Sequence, residues 1–150
     1  MPEADRYNAI RIFLASLLLV LFSHSLRAEE ETVPDKLAGA VNVTAEELIS
    51  LAEITPELVI IDSRKAADRV QGNIEGSISL PNTETTCATL ARHLRSLNAP
   101  SLYYCNGPKC GRSVKAIRIA LDCGYTNIYW YRGGFEDWKE KNYPFIMSEK

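Results

Sequence analysis

Two cysteines close together form the part of this sequence best suited to chemistry. They are Cys105 and Cys110, within the stretch YYCNGPKCGRSVKA that runs from Tyr103 to Ala116. A cysteine reacts as its thiolate, and the pKa of a thiol falls beside cations and at helix N-termini. Cys105 follows an apolar, β-prone segment and precedes a segment of helical character. The sequence therefore places this candidate nucleophile between a strand end and a helix start.

The loop after Cys105 is suited to holding an anion. Gly107 and Gly111 allow backbone N–H groups to turn inward, which makes an anion-binding nest. Lys109 and Arg112 add positive charge, and the start of the following helix adds its partial positive end. Such a loop suits a thiolate, a persulfide or an oxyanion such as thiosulfate. The candidate active-site loop comprises Asn106, Gly107, Pro108, Lys109, Cys110, Gly111 and Arg112.

No histidine is well placed in the sequence to act as a base for Cys105. Cysteine proteases need such a base. His93 lies among leucines at helical spacing, which favours a surface or core role for it. The simplest alternative is a thiolate activated by the electrostatic field of nearby cations and of the helix start. Sulfur transfer fits this alternative, because sulfur is a good leaving atom and its transfer needs little proton chemistry.

The other two cysteines, Cys87 and Cys123, fall on predicted helices, and we expect them to be core residues. A four-cysteine zinc site is disfavoured, because the four cysteines are dispersed and no close Cys-x-x-Cys pair exists. We therefore predict no metal and no other cofactor.

Strands alternate with helices along the chain, and this order must position the loop. Apolar runs predict strands at 41–43, 58–62, 77–81, 101–105 and 127–131. Helices are predicted at 47–53, 64–70, 85–97, 113–121 and 135–141, the first of them capped by a Thr44–Glu47 box. The pattern predicts an α/β fold, a mostly parallel central sheet of about five strands with helices on both faces. Ligands in such folds bind beyond the carboxyl ends of strands, where Cys105 lies.

The first 28 residues have the three parts of a secretory signal peptide. Arg6 and Arg11 form a basic start, an apolar run follows from Ile12 to Phe22, and Ala28 precedes three glutamates. The run is shorter than the roughly 20 apolar residues that a spanning helix needs. We expect cleavage near Ala28 and export to the periplasm or beyond the cell. The alternative is an uncleaved membrane anchor.

Composition limits the partners of the mature chain. The formal net charge of the full chain, −2, argues against nucleic-acid binding, because a nucleic-acid-binding protein normally has a basic patch. After removal of the signal peptide 1–28 we expect no stable membrane insertion. The predicted layout is a linker over 29–40 and one folded domain over 41–150. All four cysteines lie in that domain, and an oxidising compartment would permit disulfides between them.

From about residue 41 to 145 the chain resembles the rhodanese-like domain family of sulfurtransferases. Three blocks carry the resemblance: IIDSRKAADRVQGNIEGSISLP, YYCNGPKCGRS and YRGGFEDWKEKNYPF. The second is similar to the family's active-site loop. The residues that match the other two blocks are Asp62, Arg64, Gly72, Ile74, Gly76, Pro81, Gly133, Gly134, Trp138, Tyr143 and Pro144. Asn73 stands where the family usually has histidine, in a block that is mainly structural.

The resemblance implies a persulfide mechanism. Cys105 would take the sulfane sulfur of a small anionic donor, such as thiosulfate or a persulfide, and pass it to a thiol or cyanide-like acceptor. The loop departs from the family's common pattern, since six residues rather than four separate Cys105 from Arg112. The longer Cys-Asn-Gly-Pro-x-Cys form resembles an exported subgroup with a second loop cysteine. The related phosphatases have five residues between Cys and Arg, so this spacing also differs from theirs.

Three functions stay open from the sequence. The first is a sulfurtransferase with Cys105 as nucleophile. The second is a rhodanese-like module without catalysis that binds a partner or a small anion. The third is a thiol–disulfide redox protein that uses Cys105 and Cys110, because Cys110 could attack a Cys105 persulfide or form an inactivating disulfide with Cys105. The sequence does not determine the oligomeric state.

Overall fold

The computed structural model describes residues 32–147. The predicted signal peptide, 1–28, lies outside the described residues. Within 32–147, no helix is both long and apolar enough to cross a membrane. The strands of this part are β1 (Ala40–Asn42), β2 (Val59–Asp62), β3 (Ile78–Ser79), β4 (Ser101–Tyr104) and β5 (Ile128–Tyr131). The helices are α1 (Ala45–Ile54), α2 (Cys87–Leu90), α3 (Arg112–Asp122), α4 (Gly134–Glu140) and a 3-10 helix (Ala66–Gln71).

All neighbouring strands pair in parallel, in the order β1-β5-β4-β2-β3. The central strand β4 is buried along its whole length, as expected for a strand covered on both faces. Its last residue, Tyr104, pairs with Asp62 on one side and Tyr131 on the other. The carboxyl ends of three strands therefore meet at one edge, and the chain continues from there into Cys105.

Helices cover both faces of the sheet, which confirms the predicted fold class. Side chains alternate along β4, so Tyr103 packs on one face and Leu102 and Tyr104 on the other. The first face is covered by α3 through Val114, Ala116, Ile117 and Ala120. The second is covered by α1 and α4 through Ala45, Leu48, Phe135 and Trp138. Val33 and Leu37, which lie in the segment predicted as a linker, pack against the first cluster.

The helix predicted at 85–97 is shorter than expected. In the structure, α2 covers only Cys87–Leu90. Leu90 and Leu94 are buried as the pattern requires, but Leu97 is 55% exposed. The carbonyl of Leu97 accepts a hydrogen bond from the N–H of Thr126 at 2.9 Å. This long-range bond holds the segment against the loop before β5.

The prediction that Cys87 and Cys123 are core residues is wrong for Cys87 and is confirmed in part for Cys123, which packs against the first cluster. Cys87 is exposed, Cys123 is half-buried, and the two form a disulfide with their Cα atoms 5.5 Å apart. The bond joins α2 to the residue that follows α3. Helical periodicity could not reveal this pair, since cysteine at an apolar position resembles any small hydrophobic residue.

Candidate active site

Cys105 directly follows β4 and is only 2% exposed. The candidate loop then turns back, and the N–H of Cys110 donates to the carbonyl of Gly107 at 2.9 Å. The turn brings Cys110 to Cys105, with a Cα–Cα distance of 6.1 Å and a disulfide between them. Helix α3 begins directly afterwards at Arg112. The structure thus has the arrangement predicted from the sequence, a cysteine between a strand end and a helix start.

The loop backbone offers donors for an anion. Between Asn106 and Gly111, Cys110 is the only residue whose backbone N–H donates to another described residue. Among residues 32–147, the N–H groups of Asn106, Gly107, Lys109 and Gly111 have no hydrogen-bond acceptor, and unpaired N–H groups in a loop can bind an anion. Helix α3 adds its first N–H groups, which have no partner within a helix. A thiolate or persulfide anion at Cys105 would lie among donors from both the loop and the helix start.

The start of α4 fixes the base of the loop. The N–H of Phe135 donates to the carbonyl of Cys105 at 2.9 Å, and that of Glu136 donates to the carbonyl of Asn106 at 2.7 Å. Gly134 has a positive φ of 65°, and a Cβ there would lie 2.6 Å from the Cys105 carbonyl oxygen. Only glycine permits this approach. The Gly-Gly block recognised in the sequence therefore positions the backbone that carries Cys105.

A cavity of about 380 Å³ opens beside the loop. It is lined by Asn106, Gly107, Lys109, Cys110, Gly111, Arg112 and Glu136. The candidate loop residues are thus brought together, except that neither Cys105 nor the exposed Pro108 belongs to the lining. Cys105 lies beneath, and the half-buried Cys110 is the cysteine that faces the cavity.

Two carboxylates near the cavity were not expected from the sequence. Asp68, in the 3-10 helix, pairs with Arg112 at 2.9 Å, and both side chains are about one third exposed. The Glu136 carboxylate packs against Gly107 so closely that a Cβ on Gly107 would overlap it. The expected ring of positive charge is therefore partly compensated. An acidic residue after the Gly-Gly pair was the available signal for Glu136, whereas the pairing of Asp68 with Arg112 depends on tertiary structure.

A buried network behind the loop centres on Asp62, which is 0% exposed. Its carboxylate accepts bonds from Arg64 Nη2 at 2.7 Å, Tyr104 Oη at 2.7 Å and Arg69 Nη1 at 2.9 Å. Arg64 in turn lies over the ring of Phe135, 4.4 Å from its centroid. Because Phe135 bonds to the Cys105 carbonyl, this network supports the residue that holds the base of the loop.

The network shifts the pKa of its members. Burial alone would lower the pKa of Arg64, but its hydrogen bonds to Asp62 and the charge of Asp62 outweigh burial, and the pKa is raised. Burial, followed by the charge of Asp62, raises the pKa of Tyr104 well above its ordinary value. Arg64 therefore stays charged and Tyr104 stays neutral at physiological pH.

The remaining chemistry-bearing residues lie elsewhere. His93 is exposed, in the turn after α2, and lines a cavity with Pro100 at the amino end of β4, opposite to Cys105. Asn73 is buried and forms an antiparallel bridge with Ile146, so this position ties down the C-terminal segment. Within residues 32–147, no group of three or more His, Cys, Asp or Glu side chains is arranged to hold a metal ion.

Comparisons with known proteins identify similar chains. The chain is 28% identical over 116 residues to a human thiosulfate:glutathione sulfurtransferase, covering 70% of this chain and 98% of that protein. A thiosulfate sulfurtransferase from Pseudomonas aeruginosa superposes with a TM-score of 0.62 at 21% identity, covering 74% of this chain and 21% of that one. A rhodanese-related protein from Thermoplasma volcanium superposes with a TM-score of 0.58 at 22% identity, covering 72% and 99%.

The two solved structures show the fold, and a match of the sequence to a family model shows the family. The model of the rhodanese-like domain matches residues 44–141, a segment that contains β2 to β5, the Cys105 loop and all of α4. With this match over most of the described residues, the chain belongs to the rhodanese-like domain family.

Proposed function

We propose that this protein is a sulfurtransferase that carries sulfane sulfur as a persulfide on Cys105. The observation that carries the proposal is the setting of Cys105, at a strand end under a loop in which four N–H groups have no acceptor among residues 32–147. The Cys105 thiolate would attack the sulfane sulfur of thiosulfate, and sulfite would leave with the electron pair of the broken bond. An acceptor nucleophile would then take the terminal sulfur and release the Cys105 thiolate.

The loop residues have different roles in the proposed reaction. The N–H groups of Asn106, Gly107, Lys109 and Gly111 would stabilise the persulfide anion. Lys109 and Arg112 would attract an anionic donor, with Asp68 sharing the charge of Arg112. The name of the human relative supports thiosulfate as donor and a thiol such as glutathione as acceptor. None of these steps requires a cofactor.

We also propose that the protein is exported after cleavage near Ala28. The basic start and apolar run of residues 1–28 support export. Two disulfides within residues 32–147 also support it, because disulfides persist in oxidising compartments and are rare in the cytosol.

A second candidate function is thiol–disulfide exchange without sulfur transfer. The Cys105–Cys110 disulfide favours it, since Cys110 lines a surface cavity from which an external thiol can approach the bond. The two candidates differ in whether sulfur ever resides on the protein.

Formation of thiocyanate from thiosulfate and cyanide tests the sulfurtransferase. The fully reduced protein is compared with Cys105→Ala, and with Cys87→Ser as a control cysteine change outside the site. We expect turnover in the wild type and in the control when cyanide is concentrated enough to take the sulfur from Cys105 before Cys110 attacks, and none in Cys105→Ala. Turnover that persists in Cys105→Ala would refute the proposed nucleophile. Absence of turnover in all three, with a dithiol-reducible Cys105–Cys110 bond, would favour thiol–disulfide exchange.

A further inference from the structure

We propose that Cys110 resolves the Cys105 persulfide, so that the protein releases the carried sulfur as sulfide and is then recycled by an external dithiol. The inference rests on the proposed function, because it requires sulfur on Cys105. It adds a product, sulfide, and a substrate class, a dithiol reductant, to the same site.

The loop geometry brings the two sulfur atoms together without moving Cys105. The bond from the Cys110 N–H to the Gly107 carbonyl folds the loop back, and the Cα atoms of the two cysteines lie 6.1 Å apart. The bonds from Phe135 and Glu136 hold the other end of the loop at the sheet edge. Attack by Cys110 is therefore intramolecular from a pre-formed turn, and such attack competes well with an acceptor in solution.

Burial decides which cysteine an external thiol can reach. Cys105 is 2% exposed and does not line the cavity, whereas Cys110 is half-buried and lines it. In this disulfide-bonded form an incoming thiolate meets the sulfur of Cys110. Cys105 would then be the leaving thiolate. Because Cys110 lines the cavity and Cys105 does not, attack at Cys110 with departure of Cys105 is the favoured direction.

The resolving step balances within the protein. The Cys110 thiolate attacks Sγ of Cys105, a Cys105–Cys110 bond forms, and the bond between Cys105 Sγ and the terminal sulfur breaks. The terminal sulfur leaves with that electron pair and takes up a proton as hydrosulfide. The transferred sulfur gains two electrons, and the two cysteine sulfurs together lose two.

Recycling requires an external reductant, and we identify it as a dithiol. One thiolate of the dithiol attacks Cys110 Sγ and expels the Cys105 thiolate. Its second thiolate then closes on the first and releases the Cys110 thiolate, so that the dithiol leaves as a disulfide. The second disulfide, Cys87–Cys123, joins an exposed residue to a half-buried one outside the cavity. A compartment in which that bond persists has no abundant reducing thiol pool, so recycling of Cys105–Cys110 needs a dedicated dithiol.

A single turnover without added thiol tests the resolving step. Fully reduced protein, freed of reductant, is mixed with one equivalent of thiosulfate, quenched with an alkylating agent and analysed by mass spectrometry and a sulfide assay. In the wild type we expect close to one sulfide per protein and a Cys105–Cys110 disulfide. In Cys110→Ser we expect a persulfide retained on Cys105 and a sulfide yield lower by roughly tenfold or more. A variant with Cys87→Ser and Cys123→Ser should behave as the wild type.

The outcomes separate this inference from the proposed function. If the wild type retains the persulfide as long as Cys110→Ser does, the resolving step is refuted while the sulfurtransferase stands. If neither protein acquires sulfur, the proposed function is refuted and this inference with it. In a second measurement, steady sulfide release from excess thiosulfate should be roughly tenfold faster with dithiothreitol than with an equal thiol concentration of 2-mercaptoethanol. Equal rates with the two reductants would contradict recycling by a dithiol.

Discussion

Replacing Gly134 by alanine should damage the site far more than replacing Gly76, although both glycines have a similar positive φ. The φ values are 65° and 75°. A left-handed backbone with a Cβ costs roughly 1–2 kcal/mol, and this cost is common to both variants. At Gly76 nothing lies within 4 Å of an added Cβ. At Gly134 the Cβ would lie 2.6 Å from the Cys105 carbonyl oxygen and 2.8 Å from the Asn106 carbonyl carbon.

The overlap at Gly134 is with backbone, which cannot rotate aside as a flexible side chain can. Forcing such atoms apart adds roughly 1–3 kcal/mol, so we expect Gly134→Ala to lose about 2–5 kcal/mol of unfolding free energy. The shift falls on the residue that carries the thiol, and a misplacement of about 1 Å can cost on the order of 100-fold in rate.

Urea denaturation and thiocyanate formation, both measured on Gly134→Ala and Gly76→Ala, test this reasoning. Gly76→Ala should lose only the shared backbone cost of about 1–2 kcal/mol and keep its activity. Gly134→Ala should be less stable than Gly76→Ala. At a temperature at which it is folded, its turnover should be lower than that of the wild type by roughly tenfold or more. Equal stability and equal turnover in the two variants would show that α4 does not fix the base of the loop.

Three further predictions concern residues outside the loop that stabilise the fold. Asp62→Asn should lower the unfolding free energy by roughly 3–5 kcal/mol in a denaturant titration, because it leaves the buried Arg64 without a counter-charge; a loss below about 1 kcal/mol would contradict this. Burial raises the pKa of Tyr103 to about 12 from 10.0, so the unfolded chain releases this proton at a lower pH than the folded domain does. The free energy of unfolding that depends on protonated Tyr103 is fully present below pH 10 and falls by roughly 2–3 kcal/mol as the pH rises to 12. Denaturation at graded alkaline pH measures this slope. A free energy of unfolding that stays flat or rises with pH would refute the prediction. The Cys87–Cys123 bond closes a segment of 36 residues, so Cys87→Ser with Cys123→Ser should lose about 3–4 kcal/mol in urea, and unchanged stability would show that the bond does not constrain the unfolded chain.

The elements that carry the site could be predicted because local patterns determine them. The apolar runs before Asp62 and Cys105 are long enough to identify buried strands, and Thr44 with Glu47 forms the predicted capping box at α1. The alternation of such strands with helices confines the sheet to parallel pairing. The position of Cys105 at the carboxyl end of a central strand followed from the same patterns.

What could not be predicted depends on contacts between distant parts of the chain. The Cys87–Cys123 bond and the hydrogen bond from Thr126 to Leu97 both join segments that are far apart in the sequence, so local patterns around 85–97 do not reveal them. The pairing of Asp68 with Arg112 is another such contact. Its effect is to reduce the positive charge that the sequence alone places around the thiol.

Locating the transferred sulfur atom tests the central claim most directly. Reduced Cys110→Ser protein is incubated with thiosulfate that carries a radiolabel in its outer sulfur, and the peptides are separated under non-reducing conditions. We expect the label on the peptide that contains Cys105, released by cyanide as labelled thiocyanate. Label on another cysteine, or protein that stays unlabelled while thiocyanate is formed, would contradict a Cys105 persulfide.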